Sequence, residues 1–506
     1  SGFDINHPHP HPPMRLRIHT SPPESVSPLS TSPVLGDLDP LLQTSPQHEK
    51  YVDVIATTGT HHWLCHDSRR CDKRKRRSTW MWIGSVLLLL LLLGIYNVQS
   101  AWIAVVSDSE WKTFSNRYQH RYHRLPNPSL RSWLSYAKYH NCETADYYET
   151  IEEQMRQLRA CNSTLSMDEM IQKVASSSTR GYLVFRIENH KIILSQSHDI
   201  DSFPDFDGRP WWLAKAEHIY KLWAFKWLLH PTLRQLNSNI TVIWNIMDEP
   251  AVVMASHGLC LPVFSAVDEK VNLDENQTHP TTTILPNLLL PYHLSIGFFG
   301  TIRQRLVNYW LPPKAWNDRK DTITWRGSTT GQWEKGPRFH LVNTETDGMN
   351  NPMVWQNISH DFAFVRVVQS KGQLLDEKYR VADPISYREM QDFKYVLDVD
   401  GNSFTERFPK LLQSGTLVFK ATKYREWYSE RVMPWVHYIP VKQDLSDLPD
   451  QVRWAMSHKD LAEAIVHQAR TVVERHLRPQ DQRCYAYRLL LEYETVFLQL
   501  KQQRPG

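Results

Sequence analysis

The sequence predicts an α/β fold built on parallel sheets, preceded by a disordered tail and one transmembrane helix. Three observations carry that reading. The first 50 residues hold 10 of the 31 Pro; one uncharged Leu-rich run follows; and beyond it strand-length apolar runs alternate with helical patterns. The 506 residues average 41% hydrophobic and 22% charged, with a mean hydropathy of −0.49. That average excludes a multi-span membrane protein, and the 19 Trp, 21 Tyr and 17 Phe exclude a wholly disordered chain. A net charge of +4 makes no case for a nucleic-acid partner.

The tail, residues 1–79, mixes Pro with Ser, Thr and His and opens with His-Pro-His-Pro-His-Pro-Pro at 7–13. Such a stretch buries too little apolar area to offset its ordering entropy. Its alternating His are read as a solvated tail rather than a metal site.

Residues 80–98, Trp80 to Val98, carry no charge and include seven consecutive Leu from Leu87 to Leu93. As a helix they extend about 28 Å, the thickness of a hydrocarbon core. The run lies too far along the chain and is too long for a signal peptide. Arg69, Arg70, Lys73, Arg74, Lys75, Arg76 and Arg77 precede it, and no excess of either sign follows it. The positive-inside rule then predicts a type II topology, with the tail cytoplasmic and the later residues lumenal. Sequons at Asn162, Asn239, Asn276 and Asn357 all fall on the lumenal side, as expected of glycosylation acceptors. Cys142, Cys161, Cys260 and Cys484 fall there too and allow two disulfides in three pairings. Cys65 and Cys71 are juxtamembrane. A lumenal stem is expected over 99–135. This layout is that of Golgi glycosyltransferases, and equally of type II receptors and shedding proteases; the expected address is a Golgi or ER membrane.

In the lumenal part, Asn239 to Ile246 reads as a strand buried on both faces, and so do Thr322 to Trp325, Lys394 to Val399 and Thr416 to Phe419. Helical patterns cover Trp211 to Leu229, 403–413, 459–477 and 485–500. The Trp-rich first helix is read as core packing rather than a sugar platform. Open parallel sheets bind ligands beyond the carboxyl ends of their strands. Those ends carry Asp248-Glu249-Pro250; Arg326-Gly327-Ser328 and later Arg338; Asp400-Gly401-Asn402-Ser403; and Lys420. One carboxylate end faces several cationic or glycine-bearing ends, an acid or base opposite an anion site. Ser403 and Glu406 have capping-box spacing, so a helix is expected from Phe404, with Arg407 in its first turn and amides at Ser403 facing the anion. The look-alikes Asp205-Phe206-Asp207 and Asp398-Val399-Asp400 raise the question of a nucleotide-bound metal. Asp398 and Asp400 are read instead as a hydrogen-bonding pair and a turn acid, since protein cations already serve the anion; no metal site is expected.

Trp325-Arg326-Gly327-Ser328-Thr329-Thr330-Gly331, Leu397 to Phe404 with Arg407, Lys420, Arg425-Glu426-Trp427 and Pro434 to Pro440 together resemble glycosyltransferase family 90, the capsule-associated, protein O-glucosyltransferase-like family, and its fungal branch in particular. The likeness runs from Tyr182 to Val496 and is strongest over 322–448. It implies a GT-B-like architecture of two Rossmann-like lobes. These are an acceptor lobe over 136–315 and a UDP-sugar-binding lobe over 316–480, followed by a C-terminal helix over 481–506. It also implies inverting transfer from a UDP-sugar to a glycan or glycoprotein acceptor, with xylose or glucose as the sugar and no resident cofactor. Asp248 matches the catalytic acid of the family. Arg326, Gly327, Ser328, Arg338, Gly401, Ser403, Arg407 and Lys420 match the donor loops. One departure is Thr281-Thr282-Thr283-Ile284-Leu285-Pro286, where members often carry an acid; it bears on the acceptor pocket and the sugar.

Two rival chemistries share the layout. A glycoside hydrolase needs two carboxylates about 5–9.5 Å apart. Asp248 and Glu249 are adjacent, and Asp398 and Asp400 stand on the phosphate side. A glycan-binding or inactive transferase-like protein would bind without releasing UDP.

Overall fold

The computed structural model describes residues 105–160, 165–176, 182–196, 211–246, 250, 263–269, 288–289, 291, 314–345, 348–356, 358–370 and 374–503. The expected tail and membrane helix, Asp248, Asn162, Asn276, Asn357, Cys161, Cys260 and the Thr281–Pro286 segment lie outside them. Among the described residues no helix is long and apolar enough to cross a membrane.

Four helices come first: α1 (Asp108–Tyr122), α2 (Leu130–Tyr139), α3 (Glu149–Ala160) and α4 (Met167–Ser176). Ser107 and Glu110 close a capping box at the start of α1. Phe114 and Tyr118 of α1 and Leu130 and Trp133 of α2 are buried in the first core. The segment read as a stem thus contributes, from Asp108 on, to the folded body.

Strands β1 (Tyr182–Glu188) and β2 (Lys191–Gln196) form a hairpin. Helix α5 (Trp211–Leu233) leads to β3 (Ile240–Asn245), β4 (Val263–Ser265), β5 (Val267–Glu269) and β6 (Leu288–Leu289). The first sheet has the order β2-β1-β3-β4-β6. β3, β4 and β6 run parallel, but β1 is antiparallel to both its neighbours. This sheet is therefore mixed, not purely parallel. The cause is local: Asn189 and His190 both take positive φ, 49° and 63°, the geometry of a two-residue hairpin turn. On α5, Ala224, Phe225, Leu228 and Leu229 are buried, and Phe225 stacks on both Phe185 and Trp244 at 4.7 and 4.6 Å. Leu222 and Trp227 pack at the margin of the same core, as the helix periodicity predicts.

The second half comprises β7 (Lys320–Ser328), α6 (Pro337–Val342), α7 (Pro352–Trp355), β8 (Ser359–Arg366), α8 (Tyr387–Met390), β9 (Phe393–Val399), α9 (Phe408–Gln413), β10 (Leu417–Ala421), β11 (Tyr424–Glu426), β12 (Ile439–Pro440), α10 (Leu448–Ser457) and α11 (Lys459–His476). Its sheet, ordered β12-β10-β9-β7-β8, is parallel throughout. Every residue of β9 and β10 is buried, Lys394, Asp398 and Lys420 included, as in strands covered on both faces. This half has its own core around Trp325, Phe364, Tyr395 and Phe419.

Helix α12 (Pro479–Gln503) returns to the first core, where Tyr485, Leu489, Tyr493 and Val496 are buried. The Tyr493 hydroxyl donates to the Thr241 carbonyl of β3 at 2.6 Å. A disulfide between Cys142 and Cys484 anchors the start of α12 beyond the end of α2. A third, small sheet pairs β5 with β11, antiparallel, joining the two halves.

Candidate active site

Three strands of the second sheet end at one place. The parallel register sets Lys420 of β10 beside Asp398 of β9, and the Lys420 ammonium donates to Asp398 Oδ2 at 3.0 Å. Asp398 is 1% exposed and also accepts the Thr405 hydroxyl and, at 3.0 Å, Arg407 Nε. Burial alone would raise the Asp398 pKa; Lys420 and Arg407 outweigh it and hold the carboxyl below its ordinary value. Burial likewise opposes the charge on Lys420, but Asp398 and Glu426 raise its pKa above the ordinary lysine value. The Lys420 ammonium lies 3.9 Å from the centre of the Phe408 ring. It is engaged inside the sheet and acts on its surroundings through Asp398.

Arg407 is aimed by that carboxylate. Its Nη1 donates to the Arg326 carbonyl at 2.5 Å, while its Nη2 is buried and meets no acceptor among the described residues. The expected helix from Phe404 does not form. Helix α9 begins at Phe408, with Arg407 as its cap residue rather than a first-turn residue. Pro409 explains the shift. Inside a longer helix it would remove an amide donor and clash with the Thr405 carbonyl, whereas near a helix start it is tolerated. The Ser403 amide therefore belongs to a loop. That loop is tight: the Gly401 amide donates to the Ser403 carbonyl at 2.8 Å.

Arg338, at the start of α6, reaches the same place and is buried. It donates to the carbonyls of Ser328, Val399 and Asp400 at 3.2, 3.0 and 3.0 Å, and to the Thr330 hydroxyl at 2.5 Å. It thereby clamps the ends of β7 and β9 together. It forms no ion pair among the described residues, and burial followed by Arg407 repulsion lowers its pKa to about 10 against the pull of Asp398 and Asp400. Both guanidinium carbons flank the buried Trp325 ring, at 5.6 and 5.8 Å from its centre. The β9 loop is stitched to the β7 loop as well, through the Gly331 amide on Asn402 Oδ1 at 2.8 Å. A Cβ on Gly401 would lie 2.8 Å from Thr330 Oγ1 and 2.9 Å from Arg338 Nη2, so the loops approach this closely only around glycine.

The remaining expected residues are placed as follows. Arg326 points toward β8 and pairs with Asp361 at 2.7 Å, with a further bond to the Asp361 carbonyl at 2.8 Å. Gly327 makes room for the Trp325 indole two residues back, which a Cβ would meet at 2.4 Å. The Ser328 hydroxyl lies 3.2 Å from that of Thr330. Asn239, the one sequon Asn that is described, is exposed. Asp400 accepts the Lys423 amide at 3.0 Å and Gln443 Nε2 at 3.2 Å, and burial raises its pKa. Asp398 and Asp400 are thus hydrogen-bonding acids. Thr405, Asn402 and Glu426 complete the cluster; Asn402 and Glu426 stand in the quoted motifs without a role assigned, and Thr405 in none of them. Thr405 sits among polar residues with no spacing signal, and Glu426 is drawn in only by β11 pairing. Glu426 is buried beside Lys420, accepts the Tyr428 hydroxyl, and has its pKa pushed up to about 8, chiefly by burial.

Electrostatically, Asp398 serves both Lys420 and Arg407, and Arg338 adds a third cation that forms no ion pair among the described residues. Two guanidinium groups at one place, one of whose nitrogens meets no acceptor among the described residues, suit an anion at the carboxyl ends of the strands.

The comparisons bear on this site. The family model described as glycosyl transferase family 90 matches residues 213–506. Protein O-glucosyltransferase 2 of Danio rerio is 33% identical over 63% of this chain and 60% of its own. Protein O-glucosyltransferase 1 of Rattus norvegicus is 24% identical over 80% of this chain and 90% of its own. The Mus musculus protein of the same name is 27% identical over 84% and 93%. The chain thus spans under two thirds of the first of these relatives and most of the other two. The matched residues contain the whole second sheet and its Arg338–Asp398–Arg407 cluster, and the chain belongs to glycosyl transferase family 90.

Proposed function

We propose that this protein is an inverting glycosyltransferase that moves a sugar from a UDP-sugar to a hydroxyl of a glycoprotein or glycan acceptor in the secretory pathway. The observation that carries the reading is that Arg407 Nη2 meets no acceptor among the described residues and lies in one cluster with Arg338, at the ends of β7 and β9. Such a pair of guanidinium groups suits a pyrophosphate. Family membership and the O-glucosyltransferase relatives support glucose, with xylose as the alternative, and a protein side chain as acceptor. The Cys142–Cys484 disulfide fits an oxidising lumen.

Asp248 follows β3 by three residues and takes the part of the base. As the acceptor oxygen bonds to the anomeric carbon, its proton passes to the Asp248 carboxylate. The bond from that carbon to the UDP oxygen breaks on the opposite face, which inverts the centre. A carboxylate is a weak base at its reference pKa of about 3.9, so proton transfer is concerted with attack. Charge developing on the β-phosphate meets Arg407 and Arg338, held in place by Asp398, Thr405 and the strand-end carbonyls. Lys420 keeps Asp398 ionised. Arg326, Gly327 and Ser328 shape the β7 end, and Gly401 and Ser403 shape the β9 loop. With protein cations at the phosphate, no divalent metal is required. Titrating the membrane-solubilised protein with UDP tests the donor half of this reading; a protein that ignores UDP in calorimetry refutes it.

A further inference from the structure

Two strands hold the halves of the molecule together at the candidate site. β4 of the first sheet continues through Ala266 into β5, and β10 of the second continues through residues 422–423 into β11. β5 and β11 then pair, Glu269 opposite Tyr424, Asp268 opposite Arg425 and Val267 opposite Glu426. The ribbon is thus fused to both sheets by chain continuity. β4 lies beside β3, the strand leading to Asp248, and the two carboxyl ends are tied by Asn245 Nδ2 on the Ser265 hydroxyl at 3.2 Å.

The ribbon has a core of its own, made of Ala266, Val267, Phe404 and Tyr424. Phe404 follows directly on the Gly401-Asn402-Ser403 loop. Tyr424 packs its ring there and donates its hydroxyl to the Asn402 carbonyl at 3.2 Å. Asn402 in turn holds the Gly331 amide. Arg425 crosses to the first half, to Asp268 at 3.1 Å and to Glu153 of α3 at 3.2 Å. A contiguous set of contacts therefore runs from the end of β3 to the loops that carry the arginine pair.

We propose that Tyr424 and the Arg425–Asp268 pair are positioning residues that set the anion loops in register with the carboxyl end of β3, which Asp248 follows in sequence. This rests on the transferase reading above. Neither group is placed at reacting atoms. Their effect comes through geometry, and in-line transfer is sensitive to displacements of about 1 Å, which cost up to about 100-fold in rate.

The test uses the full chain and separates donor binding from turnover. Tyr424→Phe, which removes one hydroxyl, and Asp268→Asn, which removes one charge, are compared with wild type for UDP dissociation constant, kcat and thermal midpoint. The expected result is a kcat lowered about tenfold or more, with UDP affinity within about twofold of wild type and a midpoint that does not account for the loss. The variants should also lose any UDP-induced slowing of amide exchange over residues 240–246 that wild type displays. Variants that turn over like wild type overturn the positioning role alone, and so do variants whose UDP affinity and kcat fall together. A wild type that neither binds UDP nor turns over overturns the transferase reading, and this inference with it.

Discussion

Asp398 receives Arg407 Nε at 3.0 Å, and this contact leaves Arg407 Nη2 buried beside the Trp325 ring with no acceptor among the described residues. A guanidinium fixed on one edge and unsatisfied on the other is poised for an anion. Arg407→Lys keeps a charge but loses the planar fork. It should weaken UDP binding about tenfold to 100-fold, the loss of one charge-assisted hydrogen bond, as read by calorimetry. Wild-type affinity in this variant would remove Arg407 from the site.

The Asp398–Lys420 pair carries a stability prediction. Both groups are buried, at 1% and 6% exposure, so removing one partner leaves the other charge without compensation. Lys420→Met should cost about 3–5 kcal/mol in urea unfolding, and adding Asp398→Asn should recover part of that. The Asp398 pKa is depressed in the folded protein from an ordinary 3.8. Its contribution is therefore fully present above that value and is lost as pH falls below it through the folded pKa. Asp398→Asn should blunt this acid-limb loss.

Glu426 runs the other way. Its folded pKa is pushed up from 4.5 to about 8, so the unfolded chain releases this proton first. Stability from this group is present below 4.5 and falls as pH rises toward about 8. Glu426→Gln should flatten the decline across that range in thermal melts. An unchanged slope would mean that Glu426 is ionised in the folded protein.

The Cys142–Cys484 bond closes a loop of 342 residues and pins α12 to the helical layer it crosses. Replacing both cysteines by Ser should cost about 2–5 kcal/mol, and reductant should lower the melting midpoint of wild type but not of the variant.

What the sequence revealed of this architecture follows from range. β7, β9 and β10 were legible from their short β-prone runs of Val, Ile, Leu, Thr and aromatic residues, and the helix over 459–477 because its period is long and regular. The hairpin at Asn189–His190 lacks the glycine that usually marks such a turn, so the antiparallel β1 passed unseen. Ser403 and Glu406 have capping-box spacing, but Pro409, which disfavours a helix running on from Phe404, carried the stronger constraint. The cation set was legible by type and place: Arg338 and Arg407 do converge. Their division of labour was not. That Lys420 and Arg407 share Asp398, and that Arg326 turns to Asp361, depends on register between strands about 20 to 40 residues apart. The ribbon strands, three residues each, are too short to leave a pattern.

The central claim is sugar transfer from UDP with Asp248 as base. The most direct test is UDP release by the purified full-length protein, offered UDP-glucose and UDP-xylose with glycopeptide and glycan acceptors, with and without EDTA, beside Asp248→Asn. The account predicts acceptor-dependent UDP release that survives EDTA. In Asp248→Asn turnover should disappear while UDP binding remains. Near-normal turnover in Asp248→Asn, or no UDP release from wild type with any donor, would contradict it.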